Sequence, residues 1–268
     1  MDDVVVEDVC TRTTLRRMAA LLDQSTPEGT VMPRGWHVAL FAPDPPQSRL
    51  RPDGFAGVGV PLPESDLTRL MFGGRRTEFM GDIPVGVPVL RYSRLVSVVP
   101  KTGRSGRMLI ATVRHVVRAN GAEVLTEEQD FVLLEPGRPA PPPAVTGGPA
   151  PGGIPFTVTE TMLLRFSALM FNTHRIHYDH PYATAVEGYP ALVVNGSLTT
   201  LLLTELFRAR AGRQPRSLVT RNLRPLYCGR ANTLHVQSGE PPASGGGGTW
   251  TLWAADESGA PALEARIR

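Results

Sequence analysis

The chain has 268 residues, of which 41% are hydrophobic and 20% are charged, and its formal net charge at pH 7 is +3. This composition is typical of a globular protein with a sizeable core and argues against a disordered chain. The arginines are dispersed, without a basic block of the kind that binds nucleic acid. No apolar run approaches the ~18 residues of a membrane span.

The two cysteines, Cys10 and Cys228, are far apart and neither belongs to a C-x-x-C pair. A zinc ribbon and a thioredoxin-like site are therefore unsupported. The first residues, Met-Asp-Asp-Val, have neither the basic nor the apolar region of a secretory signal. We expect a reduced, cytoplasmic protein with no nucleic-acid or membrane partner.

A segment rich in proline and glycine divides the chain at residues 135–155. It reads EPGRPAPPPAVTGGPAPGGIP, and residues of this type cannot continue a helix or the interior of a sheet. We therefore predict a linker over 135–155 that joins two domains, residues 1–134 and 156–268.

The first half is predicted to begin with a helix and to end in strands. Residues 8–22 have helical spacing. The face that this helix would bury comprises Leu15, Met18, Ala19 and Leu22. A short apolar segment follows at 36–41. Strand-like runs then cover 90–98, 109–117 and 124–134, and Asn120–Gly121 is typical of a hairpin turn between the last two.

The second half has the same plan. Thr157 and Glu160 have the spacing of a capping box at the start of a helix, and residues 198–207 predict a longer helix with one buried face. That face comprises Leu198, Leu201, Leu202 and Leu206. Strand-like runs follow at 218–226, 234–236, 250–254 and 263–267, with a flexible hairpin loop at Gly245 to Gly248. The repeated order indicates an α+β fold in which each half is an antiparallel sheet wrapped around a helix.

Polar residues suited to catalysis are concentrated in 166–196, which reads FSALMFNTHRIHYDHPYATAVEGYPALVVNG. Three of the six histidines of the chain lie there within seven residues: His174, His177 and His180. Residue types alone leave three interpretations open. The loop is solvated and its histidines cap helices, or His174 and His177 bind a metal together with Asp179 or His180, or one histidine oriented by an amide catalyses proton transfer.

This segment resembles the signature of the MaoC-like hydratase/dehydratase family, whose usual form is Asp-x-Asn-Pro-x-His and whose fold is the hot dog. The register aligns His177 with the catalytic histidine of the family and Asn172 with its catalytic aspartate. FN-x-HRIHYD, followed by VEGYP and LVV-x-G, is more similar still to the double hot-dog, FAS1-type dehydratase branch. That branch includes mesaconyl-C4-CoA and itaconyl-CoA hydratases and 3-hydroxyacyl-thioester dehydratases.

Further motifs extend the resemblance over most of the chain. They are P-x-GWH at 33–37, FGGR at 72–75, GRSG at 103–106, RNLRPL at 221–226 and Gly229. The resemblance implies a double hot dog whose second half is catalytic and whose first half is non-catalytic and widens the acyl tunnel. The pair Trp36 and His37 is accordingly expected to pack or to line this tunnel. No metal or redox cofactor is implied.

The activity implied by the resemblance is the reversible hydration of an enoyl thioester, or dehydration of a 3-hydroxyacyl thioester, carried by coenzyme A or an acyl carrier protein. His177 would transfer the proton, and Asn172, which cannot titrate, would hold the water or hydroxyl group. An acyl-thioesterase using Glu187 and a non-catalytic acyl-thioester-binding protein are the alternatives. A homodimer is compatible with this assignment.

Four further residues are expected to bind the substrate. The resemblance implies that the longer helix of the second half points its N-terminus, at Asn195 and Gly196, towards the thioester oxyanion. The branch usually has histidine in place of Asn195, and asparagine would preserve an N-cap. Arg221 and Arg224 are predicted on opposite faces of a strand, where one of them would contact CoA phosphates or a substrate carboxylate.

Overall fold

The computed structural model describes residues 3–103, 106–135, 151–237 and 248–268. Most of the predicted linker and of the loop at Gly245 to Gly248, together with the centre of the GRSG motif, lie outside the described residues. None of the helices in these ranges has the length and hydropathy needed to cross a membrane.

Ten strands in the described part of the chain form one antiparallel sheet. They are β1 (Val4–Val9), β2 (Arg69–Phe79), β3 (Pro88–Gly103), β4 (Gly106–Ala119), β5 (Ala122–Leu134), β6 (Ile154–Phe156), β7 (Ser217–Asn222), β8 (Asn232–Gln237), β9 (Trp250–Ala255) and β10 (Pro261–Ile267). Their order is β1-β3-β4-β5-β2-β7-β10-β9-β8-β6. The five strands of each half lie together, and β2 pairs with β7 between them. The two sheets expected from the sequence are therefore continuous with each other.

The runs predicted at 90–98, 109–117 and 124–134 correspond to β3, β4 and β5. The hairpin turn is confirmed, because Asn120 and Gly121 both have positive φ angles, 51° and 80°, as a type I′ turn requires. The unpredicted strands are β1, β2 and β6. Two of these, β1 and β6, lie at the edges of the sheet.

The helices are α1 (Arg12–Leu21), α2 (Glu160–Leu169) and α3 (Gly196–Ala211). Two predicted helix starts were wrong. Residues 8 and 9 belong to β1, and α1 begins after Thr11, whose side chain accepts the N–H of Thr14. The N-cap of α2 is Thr159 rather than Thr157, since its side chain accepts the N–H of Met162.

The central helix α3 is buried on nearly all sides. It packs against β8, β9 and β10 on one side. On another side the indole N–H of Trp36, from the first half, donates to Glu205 over 2.7 Å. The single buried face predicted for this helix was therefore too narrow: Leu203 is fully buried although Leu202 is only partly buried. Trp36 is a packing residue, as expected.

Candidate functional site

A cavity of about 430 Å³ is lined by residues of both halves of the chain. This volume is in the range of pockets that enclose small ligands. Five of the six predicted site residues line it: Asn172, His177, Asn195, Gly196 and Arg224. The sixth, Arg221, is exposed and lies outside the lining.

Asn172 follows the C-terminus of α2. Its N–H donates to the carbonyl of Ser167 over 2.8 Å, and the intervening Phe171 has a φ of 49°. This is a Schellman-type ending, in which glycine usually occupies the left-handed position. The side-chain oxygen of Asn172 then accepts the N–H of His174 over 3.1 Å. The amide thus fixes the turn that begins the histidine loop.

His177 is held by the segment that precedes α3. The N–H of Val193 donates to the carbonyl of Ile176 over 3.0 Å, and Nδ1 of His177 lies 2.7 Å from the carbonyl oxygen of Val193. A carbonyl only accepts hydrogen bonds, so Nδ1 carries the proton and Nε2 of the neutral ring keeps its lone pair. The ring is thereby oriented as a base.

The charge state of His177 is set by its surroundings. Burial, and to a smaller extent the neighbouring His174, lowers the pKa of His177 to about 3, although the carbonyl of Val193 favours protonation. Burial likewise lowers the pKa of His174 to about 4. Both rings are therefore neutral near pH 7, and His177 begins any reaction as a proton acceptor.

The N-terminus of α3 is clamped beside this histidine. The N–H of Val194 donates to Leu226 over 2.8 Å and that of Cys228 to Leu192 over 2.9 Å. Gly196, the first residue of α3, faces Asn222, and a Cβ on Gly196 would lie only 2.9 Å from its Oδ1. A side chain at position 196 would therefore disturb the start of α3.

Asn195 occupies the N-cap position of α3, but its side chain makes no capping hydrogen bond. The residue is 3% exposed. Among the described residues, neither its Oδ1 nor its Nδ2 has a hydrogen-bond partner. The capping role expected of this asparagine was wrong, and its amide instead lies in the cavity lining without a hydrogen-bond partner in the described protein.

The predicted arrangement of the two arginines was also wrong. Strand β7 ends at Asn222, because the N–H groups of Leu223 and Arg224 both turn to the carbonyl of Ala262. Arg224 therefore lies beyond the strand, at the cavity, where it is exposed and its Nη1 is 3.4 Å from Asp256. The structure brings Arg224 to the site but not Arg221.

A loop of the first half covers the histidine loop. The N–H of Arg175 donates to the carbonyl of Asp53 over 2.8 Å, and the hydroxyl of Thr173 donates to the carbonyl of Gly54 over 2.6 Å. The ring of Phe55 lies 5.5 Å from that of His174. The position of His177 therefore depends on both halves of the chain.

The remaining polar residues of the loop are structural. Asp179 forms an ion pair with Arg175 at 2.8 Å, and Glu187 accepts the hydroxyl of Tyr182 over 3.1 Å. His180 is exposed, and neither it nor Glu187 lines the cavity. The carboxylate considered for a thioesterase is thus outside the site. Within the described ranges, no three His, Cys, Asp or Glu side chains are arranged to hold a metal ion.

A buried polar cluster from the first half was not identified from the sequence. Nη2 of Arg75 donates to the hydroxyl of Ser197 at the start of α3 over 2.6 Å, and Nη1 lies 3.6 Å from Glu127. Glu127 also lies 3.1 Å from Nε2 of His37, which lines the cavity as expected. One signal was available: Glu127 occupies the same alternating positions of β5 as the buried Leu125 and Phe131.

Comparison with known proteins gives consistent results. Residues 35–228 match the family described as hydroxyacyl-thioester dehydratase type 2. The chain is 38% identical over 231 residues to mesaconyl-C(4)-CoA hydratase of Chloroflexus aurantiacus, covering 83% of this chain and 81% of that protein.

Two solved structures are also similar. A MaoC-like dehydratase from Phytophthora capsici aligns with a TM-score of 0.70 at 13% identity, covering 99% of this chain and 95% of that one. A Mycobacterium tuberculosis protein described as having a double hot-dog fold aligns with a TM-score of 0.63 at 13% identity, covering 100% and 95% of the two chains. The double hot-dog fold predicted from the sequence is confirmed.

Proposed function

This chain belongs to the hydroxyacyl-thioester dehydratase type 2 family and is a hydro-lyase of acyl thioesters, and we propose that His177 is the group that transfers the proton in its reaction. The observation that carries this proposal is the orientation of a neutral, buried imidazole towards the cavity by the carbonyl of Val193. The substrate is an enoyl or a 3-hydroxyacyl thioester.

In the hydration direction, Nε2 of His177 accepts a proton from a water molecule that the amide of Asn172 helps to hold. The hydroxide adds to the β-carbon, and the electron pair of the double bond moves to the thioester, giving an enolate. The imidazolium then returns the proton to the α-carbon, so that one water is added and the histidine is regenerated. Dehydration is the same sequence reversed.

The weak basicity of His177 is consistent with this cycle. The imidazolium exists only while the enolate carries a negative charge beside it, and the carbonyl of Val193 favours the protonated ring. The two charges form and disappear together beside a buried histidine. Interaction between them is stronger there than in bulk solvent.

The enolate oxygen needs donors, and we assign that role to the N-terminus of α3 at Gly196. Its free N–H groups and helix dipole favour an anion. Arg75 donates to the hydroxyl of Ser197 and so holds the same helix end in place. Asn195 lines the cavity beside it and supports substrate binding, and Arg224, at the rim of the cavity, would contact phosphates of the carrier.

The carrier is coenzyme A or an acyl carrier protein, since both present the same thioester on a phosphopantetheine arm. We propose that residues 1–134 form a supporting hot-dog domain and residues 156–268 the catalytic one, joined by the linker.

Cys10 and Cys228 are free and buried, which fits a reducing cytoplasm. A homodimer is proposed as the assembly. Fluorescent tagging tests the cytoplasmic location, and a secreted protein would contradict it. Light scattering tests the homodimer, and a purely monomeric protein would contradict it.

The proton-transfer role is tested with the variant His177→Gln. Turnover of crotonyl-, mesaconyl- and itaconyl-CoA, and of their carrier-protein thioesters, is followed by loss of enoyl absorbance and by mass spectrometry of the hydrated product. We expect a fall in kcat of about 10²- to 10⁴-fold. His180→Gln is the matched control, since His180 is in the same loop but exposed and outside the cavity. Equal turnover of the two variants would refute the assignment, and release of free thiol would indicate thioester hydrolysis instead.

A further inference from the structure

Ser197, the second residue of α3, places a hydroxyl group at the end of the helix that borders the cavity. The residue is partly exposed and lines the cavity. The first N–H with an acceptor at this helix end is that of Thr199, which donates to the carbonyl of Asn195 over 3.1 Å. The N–H groups of residues 196–198 have no acceptor within the helix, and the side chain of Asn195 accepts none of them. Ser197 thus adds a hydroxyl to a helix end with free donors.

The contact with Arg75 determines what the hydroxyl of Ser197 can do. Nη2 of Arg75 lies 2.6 Å from Oγ of Ser197. A guanidinium has only hydrogen-bond donors, so the hydroxyl accepts this bond and still has its own proton to donate. Among the described residues, none accepts that proton. The hydroxyl of Ser197 is therefore available as a donor to a ligand in the cavity.

The usual intrahelical acceptor for such a proton is already in use. A serine or threonine in a helix can donate to the carbonyl four residues earlier, as Thr204 does to Thr200 over 2.8 Å. For Ser197 that carbonyl belongs to Val193, which lies before α3 and accepts Nδ1–H of His177 over 2.7 Å. Unlike Thr204, Ser197 does not bond back to its own backbone.

Arg75 is itself held in place by its neighbours. Its side chain is 4% exposed, and its Nη1 lies 3.6 Å from Glu127. Its backbone N–H donates to the hydroxyl of Thr220 over 3.2 Å, and its guanidinium lies 5.1 Å from the ring centroid of Phe72. Because Glu127 offsets the charge of Arg75, the contribution of Arg75 at this helix end is to orient Ser197 rather than to add a charge.

The amide of Asn195 independently indicates a polar ligand at this helix end. Asn195 is 3% exposed and lines the cavity, and neither its Oδ1 nor its Nδ2 has a partner in the part of the chain that the structure describes. Buried polar side chains are nearly always hydrogen-bonded. A ligand with polar atoms at the N-terminus of α3 would meet both this amide and the hydroxyl of Ser197.

We propose that Ser197 is a further catalytic residue, whose hydroxyl, oriented by Arg75, donates a hydrogen bond to the thioester oxygen of the substrate. This inference rests on the proposed function in placing that oxygen at the N-terminus of α3. The hydroxyl keeps its proton throughout, so the proton transfers of His177 are unchanged. The bond strengthens as the oxygen gains negative charge in the enolate, and it therefore stabilises the transition state more than the bound substrate. Arg75 acts through Ser197 and is a positioning residue.

The contact is tested with butyryl-CoA isotopically labelled at the thioester carbonyl, because a saturated thioester binds but cannot be hydrated. A hydrogen bond to a carbonyl oxygen weakens the C=O bond and lowers its infrared stretching frequency. In Ser197→Ala the stretch of the bound thioester should lie at a higher frequency than in the unmodified protein. Ser197→Thr keeps the hydroxyl and should retain the low frequency. An unchanged frequency in Ser197→Ala would overturn the inference.

The contribution to catalysis is measured by hydration of crotonyl-CoA. In Ser197→Ala, kcat should fall about 10- to 100-fold, the range for loss of one hydrogen bond to a charged group, while the Kd of butyryl-CoA should stay within about 3-fold. The matched control is Thr200→Val, which removes from the same helix a buried hydroxyl that has no partner among the described residues and lies outside the cavity lining. Equal kcat values for Ser197→Ala and Thr200→Val would also overturn the inference.

The positioning role of Arg75 is tested by a double-mutant cycle. Arg75→Lys keeps a positive charge near Glu127 but replaces the planar fork, whose two nitrogens face Glu127 and Ser197, by a single ammonium. Alone, this variant should lower kcat and raise the carbonyl frequency. In the Ser197→Ala background it should change kcat by less than about 3-fold, since the group through which it acts is gone. Full activity of Arg75→Lys, or additive losses in the double variant, would overturn this role.

Failure of the role of Ser197 and failure of the role of His177 give different results. If the carbonyl frequency depends on Ser197 but His177→Gln hydrates as fast as the unmodified protein, the hydroxyl contact is supported and the role proposed for His177 fails. If hydration depends on His177 but Ser197→Ala changes neither the frequency nor kcat, the proposed function stands and the inference fails. If no enoyl thioester is hydrated, the carbonyl frequency alone decides the inference.

Discussion

The glycine at position 54 offers a direct test of how the first half controls catalysis. Gly54 has a φ of 77°, and a Cβ there would lie 2.2 Å from the carbonyl oxygen of Thr173, whereas ordinary contact begins at 3.4 Å. In Gly54→Ala the two loops must therefore separate by about 1 Å, a displacement that can reduce a reaction rate by ~100-fold when it reaches reacting groups. We expect kcat to fall by about that factor, since Thr173 precedes His177 in the same loop.

The backbone strain of an alanine at positive φ must be separated from this displacement. Gly86 is the matched control, because its φ is 81° and nothing lies within 4 Å of the Cβ position. Both variants should lose about 1–2 kcal/mol of unfolding free energy from the left-handed conformation. Only Gly54→Ala should lose turnover when enoyl absorbance is followed under saturating substrate. The reasoning is refuted if the two variants have the same kcat.

Two further predictions concern stability. Replacing the unpaired amide of Asn195 in Asn195→Leu should raise the unfolding free energy by about 1–3 kcal/mol while lowering kcat/KM, and a lower Tm with full activity would contradict this. Burial lowers the pKa of His115 and His174 to about 4 and of His177 to about 3, from 6.5. Between these values the unfolded chain binds more protons, so stability should decrease as the pH falls from 6.5. Urea unfolding near pH 7 and near pH 5 measures this loss of stability. An unchanged urea midpoint would contradict the neutral state of these histidines in the folded protein.

Features determined by neighbouring residues were predictable from the sequence. The hairpin at Asn120–Gly121 follows from the backbone preferences of two residues. The alternation of apolar and polar side chains along β4 and β5 follows from the burial of one face of each strand. The proximity of Asn172 and His177 to one cavity followed from a motif six residues long. For the hairpin and the two strands the physical cause lies within the segment itself. The pairing of Asn172 with His177 was implied by the resemblance, and it depends on contacts with both halves of the chain.

Features determined by distant residues were not predictable in this way. Strand β2 contains the buried Arg75, although the local sequence pattern predicts that this arginine is exposed. Its burial depends on Glu127, which follows about fifty residues later and lies diagonally across from it, opposite Thr77, in the pairing of β2 with β5. Likewise β7 ends where it does because Ala262 on β10 accepts two N–H groups beyond it. The position of Arg224 at the cavity therefore cannot be derived from the alternation of side chains along a strand.

The pairing of β2 with β7 has a consequence for whether the two halves of this protein could be encoded by separate genes. Cutting the chain within 135–155 would leave each fragment with a newly exposed strand edge, which is a template for aggregation. It would also separate Arg75 from Ser197, which lie in different fragments. Each fragment would then retain strands but lose part of the catalytic site. The two halves are thus expected to pass through recombination as one unit, since a gene for either alone would encode neither a soluble product nor a working enzyme.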